Sequence, residues 1–402
     1  MTRILFDVGL FGLFTSTIST VLAIAGLVHF RRSAKATGAG FAPPVSLLKP
    51  LAGAEPNLEA HLESFFKQDY GAFEILFCAR AADDAGLEVA RRVAARYPQI
   101  PAQFLWTGEP TYINAKVSSM ETMERAARHG IFIISDSDVR VTRNYIEEVV
   151  APFGDEKVGV VTCLYRGIAD RGLWSKLEAA GMSVEMTAGV LTANLLEGMK
   201  FALGPTMAVR RRCVEAMGGF GVLGPYCSDD FLLGSYVAEQ GERVVLSHHA
   251  IDHIILNHSF GASLRHQTRW MKSTRFSRPL GHLGTALTFS VPFGLLACLA
   301  GVGLHRPVFG LALLGYSILN RMVLAALVGW LGVEDRHLPR AVVLYPMRDF
   351  LGFCCWAASY FGGTIQWRGR RYRLSRGGLM HAIDEAGESE AGHSAATQTV
   401  SH

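Results

Sequence analysis

Apolar residues along this chain follow two different patterns. Residues 4–30 are apolar apart from Asp7 near the start, His29 at the end and scattered hydroxyl side chains. That is long enough for a helix crossing a bilayer, which needs about 20 residues. From residue 45 to about 260 the apolar runs become short and are broken by polar stretches. Strand-like runs fall at 45–48, 74–78, 103–106, 131–134 and 158–163. Helix-periodic stretches lie between them, notably at 57–67, 86–96 and 118–128. This alternation predicts a mostly parallel sheet covered by helices, an α/β domain. Long apolar segments return at 282–304 and 307–333, split by Gly303-Leu304-His305-Arg306-Pro307. A third, 341–366, contains Arg348-Asp349. Charges inside a span are costly, so this segment either lies at the interface, re-enters, or buries the pair against its neighbours.

The pattern divides the chain into an N-terminal anchor (1–32), an α/β domain ending in a basic interfacial helix (40–280), two to three C-terminal membrane segments (282–366) and a small polar tail (380–402) expected to be disordered. The first segment has no cleavage-type motif and reads as an uncleaved anchor. Arg31, Arg32 and Lys35 follow it, so the positive-inside rule puts the α/β domain in the cytoplasm. If 341–366 crossed as well, the basic run 368–373 would end up outside. The charge distribution therefore favours a cytoplasmic C-terminus.

Composition narrows the class. Half of the 402 residues are hydrophobic and the mean hydropathy is +0.22, which fits an integral membrane protein. A net charge of +4 gives no general case for binding nucleic acid. The seven cysteines have no CxxC or zinc spacing, as in a reducing compartment.

The candidate chemistry sits at strand ends. The run 131–135 leads directly into Asp136-Ser137-Asp138. In an open α/β sheet, ligands bind at the C-terminal edge. Paired acids there suit Mn²⁺ or Mg²⁺ held against a diphosphate, since hard cations prefer oxygen. Lys49-Pro50-Leu51 ends the first strand, and Asp83-Asp84 follows the second. One of those two acids can equally cap the helix that starts near 86. Asn114-Ala115-Lys116 opens another helix, where a lysine can balance a diphosphate. Ser228-Asp229-Asp230 opens an apolar helix and offers both a cap and a general base. The segment from Arg265 to Trp270, continued by Lys272, Arg275 and Arg278, is a basic amphipathic helix beside the membrane. Such helices commonly bind lipid headgroups, but Gln267 and Trp270 also suit a diphosphate and an apolar wall. His248, His249, His253 and His258 lack metal-site spacing and read as structural. The sequon Asn257-His258-Ser259 would go unused in the cytoplasm, and Cys354-Cys355 read as packing residues.

In this order the motifs resemble the ceramide glucosyltransferase family, a glycosyltransferase family 21 type: Asp83-Asp84, Asn114-x-Lys116-Val117-x-x-Met120, Asp136-Ser137-Asp138-Val139-Arg140-Val141, Gly204-Pro205-Thr206-Met207-Ala208-Val209-Arg210, Ser228-Asp229-Asp230-Phe231 and Arg269-Trp270. Bacterial enzymes that glycosylate hopanoids are similar. The resemblance implies a GT-A type glycosyltransferase domain in a multi-pass protein of the bacterial inner membrane. It implies inverting transfer of a hexose from a UDP-sugar to a lipid hydroxyl, with a divalent metal. Glucose and ceramide are the first choice; N-acetylglucosamine and bacteriohopanetetrol are the alternative. It assigns Asp84, and with it Asp83, to the nucleotide, Asp136 and Asp138 to the metal and diphosphate, and Asp230 to the catalytic base. Arg269-Trp270 matches the end of the family's (Gln/Arg)-x-x-Arg-Trp motif. His266 stands at that motif's first position, leaving Gln267 to take over its role beside Lys116 in donor binding. Two rivals stand. A processive polysaccharide synthase would need more spans, and a silent nucleotide-sugar-binding membrane protein would not need the full set of acids.

Overall fold

The computed structural model describes residues 1–33, 40–367 and 370–383; Lys35, Arg368 and the expected tail beyond 383 lie outside them. Eight strands form one sheet in the order β3-β2-β1-β4-β7-β6-β8-β5. They are β1 (Val45–Pro50), β2 (Phe73–Ala79), β3 (Ala102–Trp106), β4 (Ile131–Ser135), β5 (Val139–Arg140), β6 (Val158–Ala169), β7 (Thr206–Arg210) and β8 (Arg243–Ile255). The first four run parallel, with β1 between β2 and β4. Because the chain goes from β1 outward to β3 and then returns to β4 on the other side, the β1/β4 boundary is the topological switch point, where a crevice opens at the strand ends. Strands β1, β2 and β4 are buried along their whole length, as the continuous apolar runs require. Strand β7 joins antiparallel to β4 and β6, so the sheet is mixed.

The helices are α1 (Thr2–Arg32), α2 (Leu58–Phe66), α3 (Ala85–Ala94), α4 (Ala115–Ala126), α5 (Tyr145–Val150), α6 (Leu173–Gly181), α7 (Thr187–Glu197), α8 (Arg211–Ala216), α9 (Asp229–Glu239), α10 (Phe260–Ser277), α11 (Pro279–Thr285), α12 (Val291–Gly303), α13 (Pro307–Leu324) and α14 (Tyr345–Ala358). Two helical stretches, Thr2–Arg32 and Pro307–Trp330, are long and apolar enough to cross a membrane, and the bent pair Pro279–Thr288 and Val291–Gly303 makes a third if counted as one span. Helix α12 packs closely on α1: a Cβ at Gly12 would fall 2.1 Å from the Phe293 ring, so only glycine fits there.

No helix in the segment 341–366 is long and apolar enough to cross a membrane. Its helix α14 has 14 residues, about 21 Å at 1.5 Å per residue, against a hydrocarbon core of about 30 Å. Arg348 and Asp349 are both buried and separately paired, Arg348 with Glu185 (2.7 Å) and Asp349 with Arg321 (3.5 Å). The Asp349 carboxylate also accepts from the first backbone N–H groups of α12, Ser290 at 3.0 Å and Val291 at 2.8 Å. The chain then turns into a second sheet of β9 (Thr364–Trp367), β10 (Arg370–Leu374) and β11 (Met380–Ala382). Residues 380–382 are thus a strand rather than the start of a disordered tail.

This small sheet sits on the α/β domain. Cys227 N–H donates to Gly378 O (3.0 Å), Met380 N–H to Pro225 O (2.9 Å), and Lys272 Nζ to Thr364 O (2.9 Å). The segment after α14 is therefore hydrogen-bonded directly to the α/β domain.

Candidate active site

Asp136, Asp138, Asp229 and Asp230 lie together at the β1/β4 edge, while Asp83 and Asp84 sit beyond the end of β2. Lys49, the last side chain of β1 before Pro50, is fully buried and donates from Nζ to Asp136 O at 2.6 Å. Its ammonium also sits 3.8 Å from the centre of the Phe65 ring. Burial pulls its pKa down to about 7, against the raising effect of Asp136 and Asp138. Lys49 thus clamps the turn that presents the two acids. Sequence reasoning placed it at a strand end suited to a nucleotide base and ribose, whereas its ammonium is bonded to the Asp136 backbone.

Asn114 is the N-cap of α4, its Oδ1 accepting from Lys116 N–H at 3.1 Å. Its amide nitrogen donates to Asp229 Oδ1 at 3.2 Å. The cap therefore ties α4 to the start of α9 and aims Lys116 between two acids. Lys116 Nζ lies 2.8 Å from Asp136 Oδ1 and 3.6 Å from Asp229 Oδ2. Burial alone would lower its pKa, but Asp136 and Asp229 outweigh that and hold it above the ordinary lysine value.

Asp230 is the second residue of α9, and its Oδ1 accepts from Phe231 N–H at 2.8 Å. Its other oxygen lies against Gly204, where a Cβ would come within 2.8 Å of Asp230 Oδ2. The next residue, Pro205, accepts from Asp136 N–H (3.2 Å) and Ser135 Oγ (3.3 Å). The Gly204-Pro205 turn therefore couples both acidic loops. Burial, then the neighbouring Asp229 charge, lifts the Asp230 pKa to about 6, despite Lys116 nearby.

Asp138 is held differently. Strand β5 pairs with β8 so that Val139 lies opposite His253, and His253 Nε2 sits 3.1 Å from Asp138 Oδ2. Burial would raise the Asp138 pKa, but the facing His253 brings it down to about 2. His253 is raised in turn: burial lowers it, and Asp138 more than compensates. Asp138 Oδ1 is buried and has no hydrogen-bond partner among the described residues. His253 was expected to be a scattered structural histidine; instead it backs one of the acids. Of the other histidines singled out with it, His248 stacks on Phe30 at 4.4 Å and His258 is bonded to Asp170 at 2.9 Å.

The remaining expected residues divide. Asp84 is the N-cap of α3, its oxygens taking Gly86 N–H (2.7 Å) and Gly53 N–H (3.0 Å), while Asp83 beside it is exposed. Both lie just beyond the end of β2. Arg269 rests over the Trp367 ring of β9 at 5.9 Å. Trp270 packs between His266 (4.9 Å) and His253 (6.4 Å), so it reaches the acid cluster through His253. Gln267 does not join that cluster: its amide donates to Ser263 Oγ (2.8 Å) and its oxygen accepts from Cys355 Sγ (3.8 Å). His266 pairs with the buried Glu178 at 2.6 Å. The basic face of α10 clamps the C-terminal segment, with Lys272 on Thr364 O and Arg275 on Ser359 O.

The chain is similar to known proteins in sequence and in fold. The family model of Glycosyl transferase family 21 matches residues 11–380. Ceramide glucosyltransferase 1 of Caenorhabditis elegans is 26% identical over 344 residues, covering 84% of this chain and 73% of that protein. A ceramide glucosyltransferase of Komagataella phaffii is 35% identical over 101 residues, 24% of this chain and 20% of the relative. Among solved structures, a mannosyltransferase from Pyrobaculum calidifontis, in complex with GDP-Man and Mn²⁺, aligns over 89% of this chain and 99% of its own, with a TM-score of 0.52 at 16% identity. At that identity the likeness shows the fold alone: a GT-A type domain.

Proposed function

The chain belongs to glycosyl transferase family 21, and on that premise we propose that it transfers glucose from UDP-glucose to the hydroxyl of ceramide, by a single displacement with inversion. Sugar transfer from a nucleotide donor is the activity of the family; the donor, the acceptor and the residue roles are our reading.

The observation that carries it is Asp230. A carboxylate near pKa 6, fixed by Phe231 N–H and set beside the Lys116–Asp136 pair, is poised to accept a proton at neutral pH. As the acceptor oxygen bonds to the anomeric carbon, its proton passes to Asp230 and the bond from the sugar to the diphosphate breaks. Lys116 and Arg269 offset the charge left on the nucleoside diphosphate. Asp83 and Asp84 mark the nucleotide end of the edge, and Trp270 gives the site an apolar wall.

The residues fit a divalent cation. Asp138 keeps one buried oxygen without a partner, Asp136 lies beside it in the turn, and two carboxylates plus donor phosphates are a common set for Mg²⁺ or Mn²⁺. Among the described residues no third His, Cys, Asp or Glu joins them, so the diphosphate would complete the shell. When bound, such a cation supplies positive charge against the departing diphosphate. The Mn²⁺ found in the mannosyltransferase complex agrees with this set. We further place the domain in the cytoplasm, since Arg31 and Arg32 end α1.

The test is transfer of radiolabelled sugar by the purified protein in lipid micelles. UDP-glucose and UDP-N-acetylglucosamine are each offered with ceramide and with bacteriohopanetetrol, with and without Mn²⁺. Mn²⁺-dependent glucosylceramide is the expected product. Product with the hopanoid alone would overturn the acceptor assignment.

A further inference from the structure

Helices α6, α10 and α14 enclose a slot that the proposed chemistry does not use. Its walls are apolar: Trp174 and Leu177 from α6, Leu264 from α10 and Leu351 from α14. Its polar lining includes Gln267 and Arg348. As it stands the slot has about 10 Å³ of room, roughly that of one water or one carbonyl oxygen.

Arg348 is only 6% exposed, and only part of its guanidinium is used. Nη2 meets Glu185 Oε2 at 2.7 Å, while Nε and Nη1 have no hydrogen-bond partner among the described residues. Buried donors without acceptors are costly and uncommon, so two on one side chain call for an explanation. Gly181 makes the arrangement possible, since a Cβ there would lie 2.2 Å from Arg348 Nε.

The outer end of the slot is apolar and exposed. Phe260, at the start of α10, is 45% exposed and packs on Trp174 at 4.8 Å. Leu173, Met347 and Phe350 on the flanking helices are exposed too. Such a rim, next to helices long and apolar enough to cross a membrane, suits the edge of a bilayer. The inner end is wired to the catalytic edge. Ser263 and His266 both bond Glu178 (2.6 Å each), His266 packs on Trp270, and Trp270 leads through His253 to Asp138.

We propose that this slot is the acceptor subsite: a lipid chain enters past Phe260 and Trp174, and the lipid's amide carbonyl accepts hydrogen bonds from Arg348. That places the neighbouring lipid hydroxyl toward the acids. Donors that lack acceptors select an oxygen acceptor, and the apolar walls select a hydrocarbon chain. This inference rests on the lipid-acceptor reading given above and names where that lipid is held.

The test separates the two. Leu264→Trp and Leu351→Trp fill the slot without touching an acid, and Arg348→Lys keeps a charge for Glu185 but loses the fork. Each purified protein is assayed for UDP binding by calorimetry, for binding of a fluorescent short-chain ceramide, and for transfer. The slot predicts that all three variants bind UDP as wild type does and lose at least tenfold in ceramide-analogue affinity, with a matching rise in lipid KM. Variants that fold and bind the analogue as wild type does would overturn the slot, whatever the transfer rate. Wild type that binds the analogue, loses it in the variants and yet transfers no sugar would uphold the slot and sink the transferase reading.

Discussion

Replacing Asp230 with asparagine should make the protein more stable and nearly inactive at once. The carboxylate pKa rises from 3.8 to about 6 on folding because burial, and then Asp229, penalise its charged form. An acid that binds its proton more tightly when folded adds stability at low pH and costs stability once ionised. The cost is full above about pH 6 and vanishes as pH falls through 6 toward the unfolded value near 3.8. Roughly two pKa units at 1.36 kcal/mol each give about 3 kcal/mol, an upper bound because the cleft admits some water. Asparagine has no charge to penalise and can still accept from Phe231 N–H, so it should remove that cost. Losing a general base costs on the order of 10²–10⁴ in rate. The assay pairs a UDP-release rate with thermal unfolding in detergent, each from pH 4 to 8. Asp230→Asn should melt above wild type at pH 7.5, with the gap closing toward pH 4. Wild-type kcat/KM should fall about tenfold per pH unit below about pH 6. A variant that keeps a tenth of the activity, or that melts below wild type at pH 7.5, would refute the reasoning.

Other perturbations probe the supports around that base. Gly204→Ala puts a Cβ within 2.8 Å of Asp230 Oδ2, so kcat should drop at least tenfold while UDP affinity by calorimetry stays unchanged. Trp367→Ala removes the ring under Arg269; at about 0.5–2 kcal/mol for a cation–π contact, donor KM should rise roughly two- to thirtyfold with little change in lipid KM. Asp136→Asn with Asp138→Asn should abolish Mn²⁺ binding measured by electron paramagnetic resonance, and excess Mn²⁺ should not restore transfer.

Much of this was legible in the chain because the buried parallel strands write themselves as apolar runs. The run from Ile131 to Ser135 is such a strand, and the residues directly after it must emerge at the sheet edge. Strand β8 was not legible, since His248, His249, Asp252 and His253 break its apolar content. Its long pairing with β6 holds it in place, and that pairing is invisible locally. His253 was missed for the same reason: only the β5–β8 register brings it to Asp138. Gln267 was read as a donor ligand from its place in a motif, but α10 turns it toward Ser263 and Cys355. The segment 341–366 read as apolar, with its Arg348-Asp349 pair and the basic run after it arguing against a crossing, but its turn into a sheet was not legible. Its helix ends at Ala358, and Tyr372 and Leu374 then alternate with arginines in a period of two, a strand signal masked by the basic run.

The most direct test of the account is the anomeric configuration of the lipid product. Glucosylated lipid made from UDP-α-glucose would be isolated and its anomeric proton coupling read by nuclear magnetic resonance. A single displacement with Asp230 as base predicts the β-glucoside throughout. An α-linked product would contradict it, because retention requires a different attack on the donor than the one built from Asp230.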